Sequence, residues 1–237
     1  GGDLRSFVIV LVMGVSAYTT ISGPLAKVRL NLFPVIPLES STPPSLSYLG
    51  SQALGINSAA VGSTIGIIFL IYGLFNWKNK MTLNSIFWSV IVAVAIVGGW
   101  IGTTWVAAYT YEPISIQSFT FVAPVGEAIL YAMYGSAINI KFGIGAVLGV
   151  LIGAFFGSVV KGHFRWEACE DPRELKRQIL GASIMGVGAV ISLGCSVGQG
   201  LTAFSTLSYS APLTLLSIYF GARIGLFQLI EGFQIAE

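Results

Sequence analysis

Charged residues are scarce in this sequence. The 12 Lys and Arg and 10 Asp and Glu together make up only 9% of its 237 residues, whereas a typical soluble domain is about 25% charged. So few charges cannot coat a globule of this size, which argues against a soluble enzyme. The net charge of +2 is also too small to indicate nucleic acid as a partner.

Cysteine and histidine are rarer still, with 2 and 1 residues respectively. Cys169 and Cys195 do not make a disulfide framework, and no Cys/His spacing resembles a metal site. The sequence contains no phosphate-binding loop. We therefore expect no metal, no cofactor and no ATP hydrolysis by this chain.

What the sequence has in abundance is apolar residues, at 54%, with a mean hydropathy of +0.82. A spanning helix needs about 20 mostly apolar residues, and continuous runs of this kind exclude the alternating pattern of a membrane barrel. The sequence predicts an all-α polytopic membrane helix bundle that forms a single transmembrane domain over residues 1–237. The predicted spans are residues 6–21, 62–76, 86–109, 142–160, 179–193 and 212–230.

Shorter apolar stretches and charged loops refine this layout. Residues 49–60 and 119–134 are interrupted or too short to span, which predicts half-helices, re-entrant or interfacial. Residues 161–177 carry five Lys and Arg, so we expect this linker loop to be cytoplasmic. Because the chain starts Gly-Gly-Asp-Leu-Arg without an initiator Met, we also expect an amino-terminal portion to be missing.

Glycine is frequent, with 29 residues. Gly145, Gly149, Gly153 and Gly157 recur at every fourth position and form one stripe on a predicted span. Such a stripe lets a neighbouring helix approach closely in a lipid-embedded bundle. We therefore predict a packing role for it.

The stretch from Ile191 to Ala211 contains the strongest candidate site. It joins two apolar helices without any charged residue and is rich in Gly, Ser and Thr, so it breaks the helix inside a hydrophobic region. Non-helical backbone at membrane depth is tolerated only where it is buried or lines a wet cavity. Transporters bind substrates at such breaks, because freed N–H groups attract anions.

Cys195 lies at this break, and two interpretations of it stay open. A thiol beside exposed amides has a polarised S–H and suits a small anion that itself carries soft sulfur. Alternatively, Cys195 is a small hydrophobic residue packed in a tight turn.

Six motifs stand out in the sequence: Gly-Cys-Ser-Val-Gly-Gln-Gly-Leu-Thr at 194–202, Leu-Ser-Tyr-Ser at 207–210, Gly-Ala-Arg-Ile-Gly at 221–225, Phe-Arg-Trp-Glu-Ala at 164–168, Asp-Pro-Arg-Glu at 171–174 and Phe-Val-Ala-Pro-Val-Gly-Glu at 121–127. Together they resemble those of the YeeE/YedE family of bacterial inner-membrane sulfur-transport proteins, which are associated with thiosulfate uptake. The opening Gly-Gly-Asp-Leu-Arg-Ser resembles the end of an earlier Gly-Cys loop in that family.

The resemblance implies a compact helix bundle in which thiosulfate passes successive thiols through S–H···S contacts. Cys195 matches the last of those cysteines, while the others belong to an amino-terminal portion that this chain does not contain. The family also implies a cytoplasmic sulfur-carrier protein or sulfurtransferase as partner. We identify as candidate substrate-binding residues Gly194, Cys195, Ser196, Gly198, Gly200, Thr202 and Arg223.

Arg223 lies midway along the last apolar run, where an arginine costs about 2.5–3.5 kcal/mol on insertion scales. It is interpreted either as a counter-charge for the anion, as the partner of Glu231 in a bundle-stabilising pair, or as a side chain that snorkels to the interface.

Three functional hypotheses follow. The first is inner-membrane uptake of thiosulfate or a related small sulfur anion, without enzymatic activity. The second is a membrane sulfurtransferase that uses Cys195 as its nucleophile, although no base lies near it in sequence. The third is a non-catalytic membrane scaffold subunit.

Overall fold

A computed structural model describes residues 2–33, 45–80, 82–110, 114–162, 164–167 and 172–231. Nearly all the secondary structure within these ranges is helical, which confirms the all-α class. The helices are α1 (Leu4–Ile21), α2 (Leu25–Leu32), α3 (Leu46–Leu54), α4 (Ser58–Lys80), α5 (Leu83–Tyr109), α6 (Val122–Tyr134), α7 (Phe142–Val160), α8 (Pro172–Ile191), a π-helix (Gly198–Ala203) and α9 (Ser210–Glu231). Two short strands, β1 (Gly2–Asp3) and β2 (Trp166–Glu167), pair in parallel.

Four of these helices are long and apolar enough to cross a membrane. They are α1, α5, α7 and α9, the last of them over Ser210–Gln228. Their bounds match four of the predicted spans, residues 6–21, 86–109, 142–160 and 212–230. Many large apolar side chains on α5, α7 and α9 are exposed, as expected for surfaces that face lipid.

The other two predicted spans fall in α4 and α8, of which α4 belongs to a bent pair that is apolar enough to form a fifth span. Residues 62–76 lie in α4, which meets α3 at an angle of 116°, so α3 and α4 form one bent pair. Residues 179–193 fall largely in α8, whose first turns carry four charged side chains, Arg173, Glu174, Lys176 and Arg177. The apolar remainder of α8 is about 20 Å long at 1.5 Å per residue, short of a hydrocarbon core of about 30 Å.

The structure has a short helix and an interrupted helix at the two segments for which these were predicted. Helix α6 has 13 residues, which is too short to span. Helix α3 ends at Gly55, whose φ of +66° is the left-handed conformation that glycine adopts without steric cost. The predicted half-helix at residues 119–134 is therefore the short helix α6, whereas residues 49–60 comprise the end of α3, the turn at Gly55 and the first residues of α4.

The chain divides into two compact units, Gly1–Pro37 with Thr103–Gly198, and Leu38–Gly102 with Gln199–Glu237. In the first unit α1 packs against both α6 and α8. A Cβ added to Gly126 would lie 2.7 Å from the carbonyl oxygen of Gly14, and one added to Gly186 would lie 2.6 Å from that of Met13. The helices therefore cross backbone to backbone at glycine, and no larger residue fits at these positions without movement.

One end of this unit is held by polar contacts. Asp3 caps α1 by accepting a hydrogen bond from the Arg5 amide, and the hydrogen bond from the Ser6 hydroxyl lowers the pKa of the Asp3 carboxyl. Arg5 Nη1 lies 3.1 Å from Glu174 Oε1, which also accepts from Gln178. These contacts and the β1–β2 pairing join the starts of α1 and α8. Residues 172–177 of the predicted linker thus belong to α8.

The second unit contains the bent pair α3–α4, most of the π-helix and α9. At the α3–α4 bend, Gly50 of α3 lies directly against Val61 of α4, since a Cβ added at Gly50 would be 2.8 Å from Val61 Cγ1. The Leu46 amide donates to the Leu207 carbonyl at 2.7 Å, and the rings of Phe69 and Phe204 meet edge to face at 5.4 Å. The segment after the π-helix is therefore anchored to the bent pair.

Among the described residues, no helix approaches the glycine stripe on α7 closely. For Gly145, Gly149, Gly153 and Gly157 alike, no atom of the described residues lies within 4 Å of an added Cβ. The packing role of the stripe stays a prediction, while the close helix approaches among the described residues are made by Gly14, Gly126 and Gly186, which do not form a stripe in sequence.

Candidate functional site

The end of α8 has the geometry of a Schellman motif. The Gly194 amide donates to the Ala189 carbonyl at 2.8 Å and the Leu193 amide donates to the Val190 carbonyl at 3.2 Å, which is the 6→1 and 5→2 pair of that motif. The Ser192 hydroxyl donates to the Gly194 carbonyl at 2.9 Å. The helix therefore stops abruptly just before Cys195.

Two strained residues bracket the broken segment. Leu193, with φ +61°, precedes it, and Leu207, with φ +53°, closes it; in the described part of the chain these are the non-glycine residues with positive φ. The left-handed region costs a residue with a Cβ about 1–2 kcal/mol, and such strain concentrates at binding and catalytic sites. The strain is consistent with the prediction of a functional segment within residues 191–211.

Cys195 follows directly. It is a half-buried free thiol that packs against an apolar cluster made by α1, α6 and α8, whose members include Met13, Ala17 and Val190. The thiol thus lies at the broken helix end, as the transport interpretation requires, and also has the apolar neighbours of the packing interpretation.

The same turn contains three successive backbone N–H groups without a hydrogen-bond acceptor among the described residues. Within the described ranges, the amides of Cys195, Ser196 and Val197 donate no hydrogen bond. Ser196 is exposed and its two neighbours are half-buried. Because these residues are exposed or half-buried, their N–H groups remain accessible to an acceptor that binds at the turn. Consecutive free N–H groups are a common way to bind an anion.

Gly198 ends this turn and begins the π-helix. A Cβ at this position would lie 2.8 Å from the Thr120 Oγ1. The close approach explains why glycine stands here, and it fixes the turn against the segment that leads into α6. The candidate residues Gly194, Cys195, Ser196 and Gly198 therefore lie together in the first unit.

The remaining candidates belong to the second unit. Gly200 lies in the π-helix, where an added Cβ would come within 2.9 Å of Leu215 Cδ2 of α9. Thr202 is buried, and its carbonyl accepts from the Ser205 hydroxyl at 2.7 Å. A π-helix is rare and commonly marks a functional position, which agrees with the choice of this segment from sequence.

Gln199 is a buried polar residue of the same segment that the sequence analysis did not single out. Its side chain is 4% exposed, and its Oε1 accepts from the Ser210 hydroxyl at 3.0 Å. A buried carboxamide with a defined partner is a costly feature to maintain in an apolar protein. The signal was present as a lone Gln between two glycines, but its partner is eleven positions away and is set by the fold.

Arg223 is exposed on α9 and lies eight residues beyond Leu215, the residue that Gly200 contacts. Eight residues correspond to about 12 Å along a helix. The structure therefore does not bring the Arg223 backbone to the π-helix, and its role as a counter-charge stays a prediction. The Glu231 side chain, Cys169 and residues 168–171 of the predicted linker lie outside the described part of the chain.

A cavity of about 480 Å³ in the second unit is lined by hydroxyl groups but does not suit an anion. Three of its hydroxyls already donate to backbone carbonyls: Ser63 to Ala60, Ser205 to Thr202, and Thr206 to Ala203. A hydroxyl whose hydrogen is used presents lone pairs, which repel negative charge. Cys195 does not line this cavity.

Comparisons with known proteins show which family this chain resembles. The sequence model described as Sulphur transport matches residues 1–224. The chain is 29% identical to the thiosulfate transporter TsuA of Escherichia coli (strain K12) over 99 residues, which are 42% of this chain and 28% of that protein. It is 23% identical to the thiosulfate transporter TsuA of Spirochaeta thermophila over 171 residues, 72% of this chain and 49% of that protein.

The matches thus span about half, or less, of the length of these curated relatives. Together with the four membrane-length apolar helices, they identify a multi-pass membrane protein, and the family match over residues 1–224 confirms the resemblance seen in the motifs. The chain belongs to the sulphur transport (YeeE/YedE) family.

Proposed function

We propose that this chain binds thiosulfate, or a similar small sulfur anion, at the Cys195 turn during its uptake across the bacterial inner membrane. The observation that carries the proposal is the set of three unbonded amides at Cys195, Ser196 and Val197, beside a half-buried thiol. Both curated relatives carry the name thiosulfate transporter, which supports the choice of anion.

The chemistry of the turn suits such an anion. Backbone N–H groups that donate to an oxyanion make charge-assisted hydrogen bonds, which are about twice as strong as neutral ones. A thiol S–H is a weak donor and its sulfur is polarizable, so it matches the terminal sulfur of thiosulfate better than an oxygen. The amides would bind the oxygen end and Cys195 the sulfur end.

The finer parts of the proposal rest on the family resemblance. Gly200, Thr202 and Arg223 would contact the anion at another stage of its passage, and Cys195 would pass it on through S–H···S contacts without becoming a catalyst. A cytoplasmic sulfur-carrier protein would dock at the charged segment 161–177, where Lys161, Arg165 and Arg173 are exposed.

The test is uptake of ³⁵S-thiosulfate by cells that lack their own thiosulfate transport. We expect Cys195→Ala to abolish the uptake conferred by the unmodified chain, at equal amounts of protein in the membrane. The matched control is Cys169→Ala, which should retain uptake. Unchanged uptake by Cys195→Ala would refute the proposed role.

The same variants separate transport from group transfer. In a sulfurtransferase, the Cys195 thiolate would attack the outer sulfur of thiosulfate, break its S–S bond and release sulfite, which leaves a persulfide that mass spectrometry detects as one added sulfur. The relay proposal predicts an unmodified Cys195 after the anion is washed away.

A further inference from the structure

The outer face of α7 carries an open groove of about 610 Å³ that is almost entirely apolar. Its floor includes Gly145 and Gly149, at both of which an added Cβ would meet no described atom within 4 Å. Phe119 and Phe142 meet edge to face at 5.4 Å on one side. Lys141 is its single charged lining residue among those that the structure describes.

The length and position of the groove match one leaflet of a bilayer. It runs from Lys141, the residue before α7, to Val150, and nine residues of helix extend about 14 Å. The hydrocarbon core is about 30 Å thick, so the length of the groove along α7 is about the thickness of the acyl region of one leaflet. It begins at the end of a spanning helix, where lipid headgroups lie.

The charge is at the end of the groove where a headgroup would be. Lys141 Nζ lies 3.2 Å from Glu127 Oε1, and the lysine side chain remains 58% exposed. Glu127 therefore keeps the ammonium at the mouth of the groove and leaves it open to a second acceptor. Basic residues at this depth bind anionic lipid headgroups.

We propose that this groove binds one anionic phospholipid, with an acyl chain along the glycine floor and the phosphate on Lys141. The proposal is independent of the anion site at Cys195. A helix that packed on the stripe would also cover Gly153 and Gly157, whereas an acyl chain one leaflet deep ends near Val150.

The test is native mass spectrometry of the chain purified from bilayers that contain equal phosphatidylglycerol and phosphatidylethanolamine. We expect the unmodified chain to retain phosphatidylglycerol preferentially. Lys141→Gln should weaken that preference about fivefold, the effect of one lysine at an anionic surface. Glu127→Gln should strengthen it, because it removes the carboxylate that competes with the phosphate for Lys141.

Two leucine variants separate the groove from the rest of the stripe. Gly149→Leu fills the floor and should abolish retention, whereas Gly153→Leu, on the same stripe beyond the groove, should leave it unchanged. Equal retention of the two lipids by the unmodified chain, or equal loss in both leucine variants, would overturn the proposal. The proposal would also be overturned if Lys141→Gln left lipid retention unaffected. The same holds if the chain formed a dimer that Gly149→Leu dissociates while the bound lipid stays the same.

Discussion

Two sets of glycines in the same unit have opposite surroundings. At the crossing of α1 with α6 and α8, Gly14, Gly126 and Gly186 each lie against the backbone of a neighbouring helix, whereas Gly149 and Gly153 on α7 face open space. The periodic set is therefore the exposed one and the irregular set holds the fold. A regular small-residue stripe indicates a surface that can be approached closely, but it does not identify what approaches.

The largest expected effect on stability is at the crossing of α1 and α8. Gly186→Ala places a methyl group 2.6 Å from the Met13 carbonyl oxygen, so α1 and α8 must separate. Overpacking of this kind typically costs about 1–3 kcal/mol. The loss should appear as a lower midpoint of thermal unfolding in detergent, and an unchanged midpoint would show that the crossing is not tightly packed.

Gly126→Ala tests whether the crossing of α1 with α6 is packed as tightly as its crossing with α8. The added methyl would lie 2.7 Å from the Gly14 carbonyl oxygen and 3.0 Å from Tyr18 Cβ. We expect a loss of similar size to that of Gly186→Ala, because backbone atoms cannot move aside as a side chain can. If only one of the two variants is destabilised, one of the two helix pairs holds less of the fold than the geometry indicates.

A smaller effect of opposite sign is expected at Gly153→Ala on α7. No described atom lies near the added methyl, and alanine is favoured over glycine in a helix interior by about 0.8–1.0 kcal/mol. The unfolding midpoint should therefore stay level or rise. A loss as large as that of Gly186→Ala would contradict the contrast between the two sets of glycines.

The smallest effect is at the Arg5–Glu174 pair, which joins the starts of α1 and α8. Its side chains are 40% and 43% exposed, and exposed pairs are worth about 0.2–1 kcal/mol. A double-mutant cycle with Arg5→Gln and Glu174→Gln should give a coupling in that range that decreases with added salt. A coupling insensitive to salt would indicate that the pair is buried by something else.

The hydrophobic runs predicted the spanning helices well, because length and apolarity alone determine whether a helix suits a bilayer. The continuous apolar run from Ile179 also predicted a span in α8. Lys176 and Arg177, however, limit the apolar part of that helix to less than the thickness of the bilayer core. The broken segment was also predictable, because three glycines in seven residues leave few alternatives to a turn. Gln199 was not, since burial of its side chain and its bond to Ser210 depend on tertiary packing.

The contacts of Cys195 show where sequence reasoning stops. The sequence placed the thiol at a helix break, which the structure has. It could not show that Ser192, Leu193 and Gly194 close α8 in a Schellman motif, which leaves the next three amides without partners. That arrangement follows from the positive φ of Leu193, a conformation that no propensity for leucine predicts.

The most direct test of the proposed site is isothermal titration calorimetry of thiosulfate against the purified chain, with sulfate as the comparison anion. We expect Ser196→Pro, which removes one free amide, to weaken thiosulfate binding at least about tenfold, the equivalent of one lost charge-assisted hydrogen bond. Cys195→Ala should weaken it by a smaller factor, because a thiol is a weak donor. Ser196→Ala, which retains the amide, should bind as the unmodified chain does. Equal affinity in all four proteins would contradict binding at the Cys195 turn.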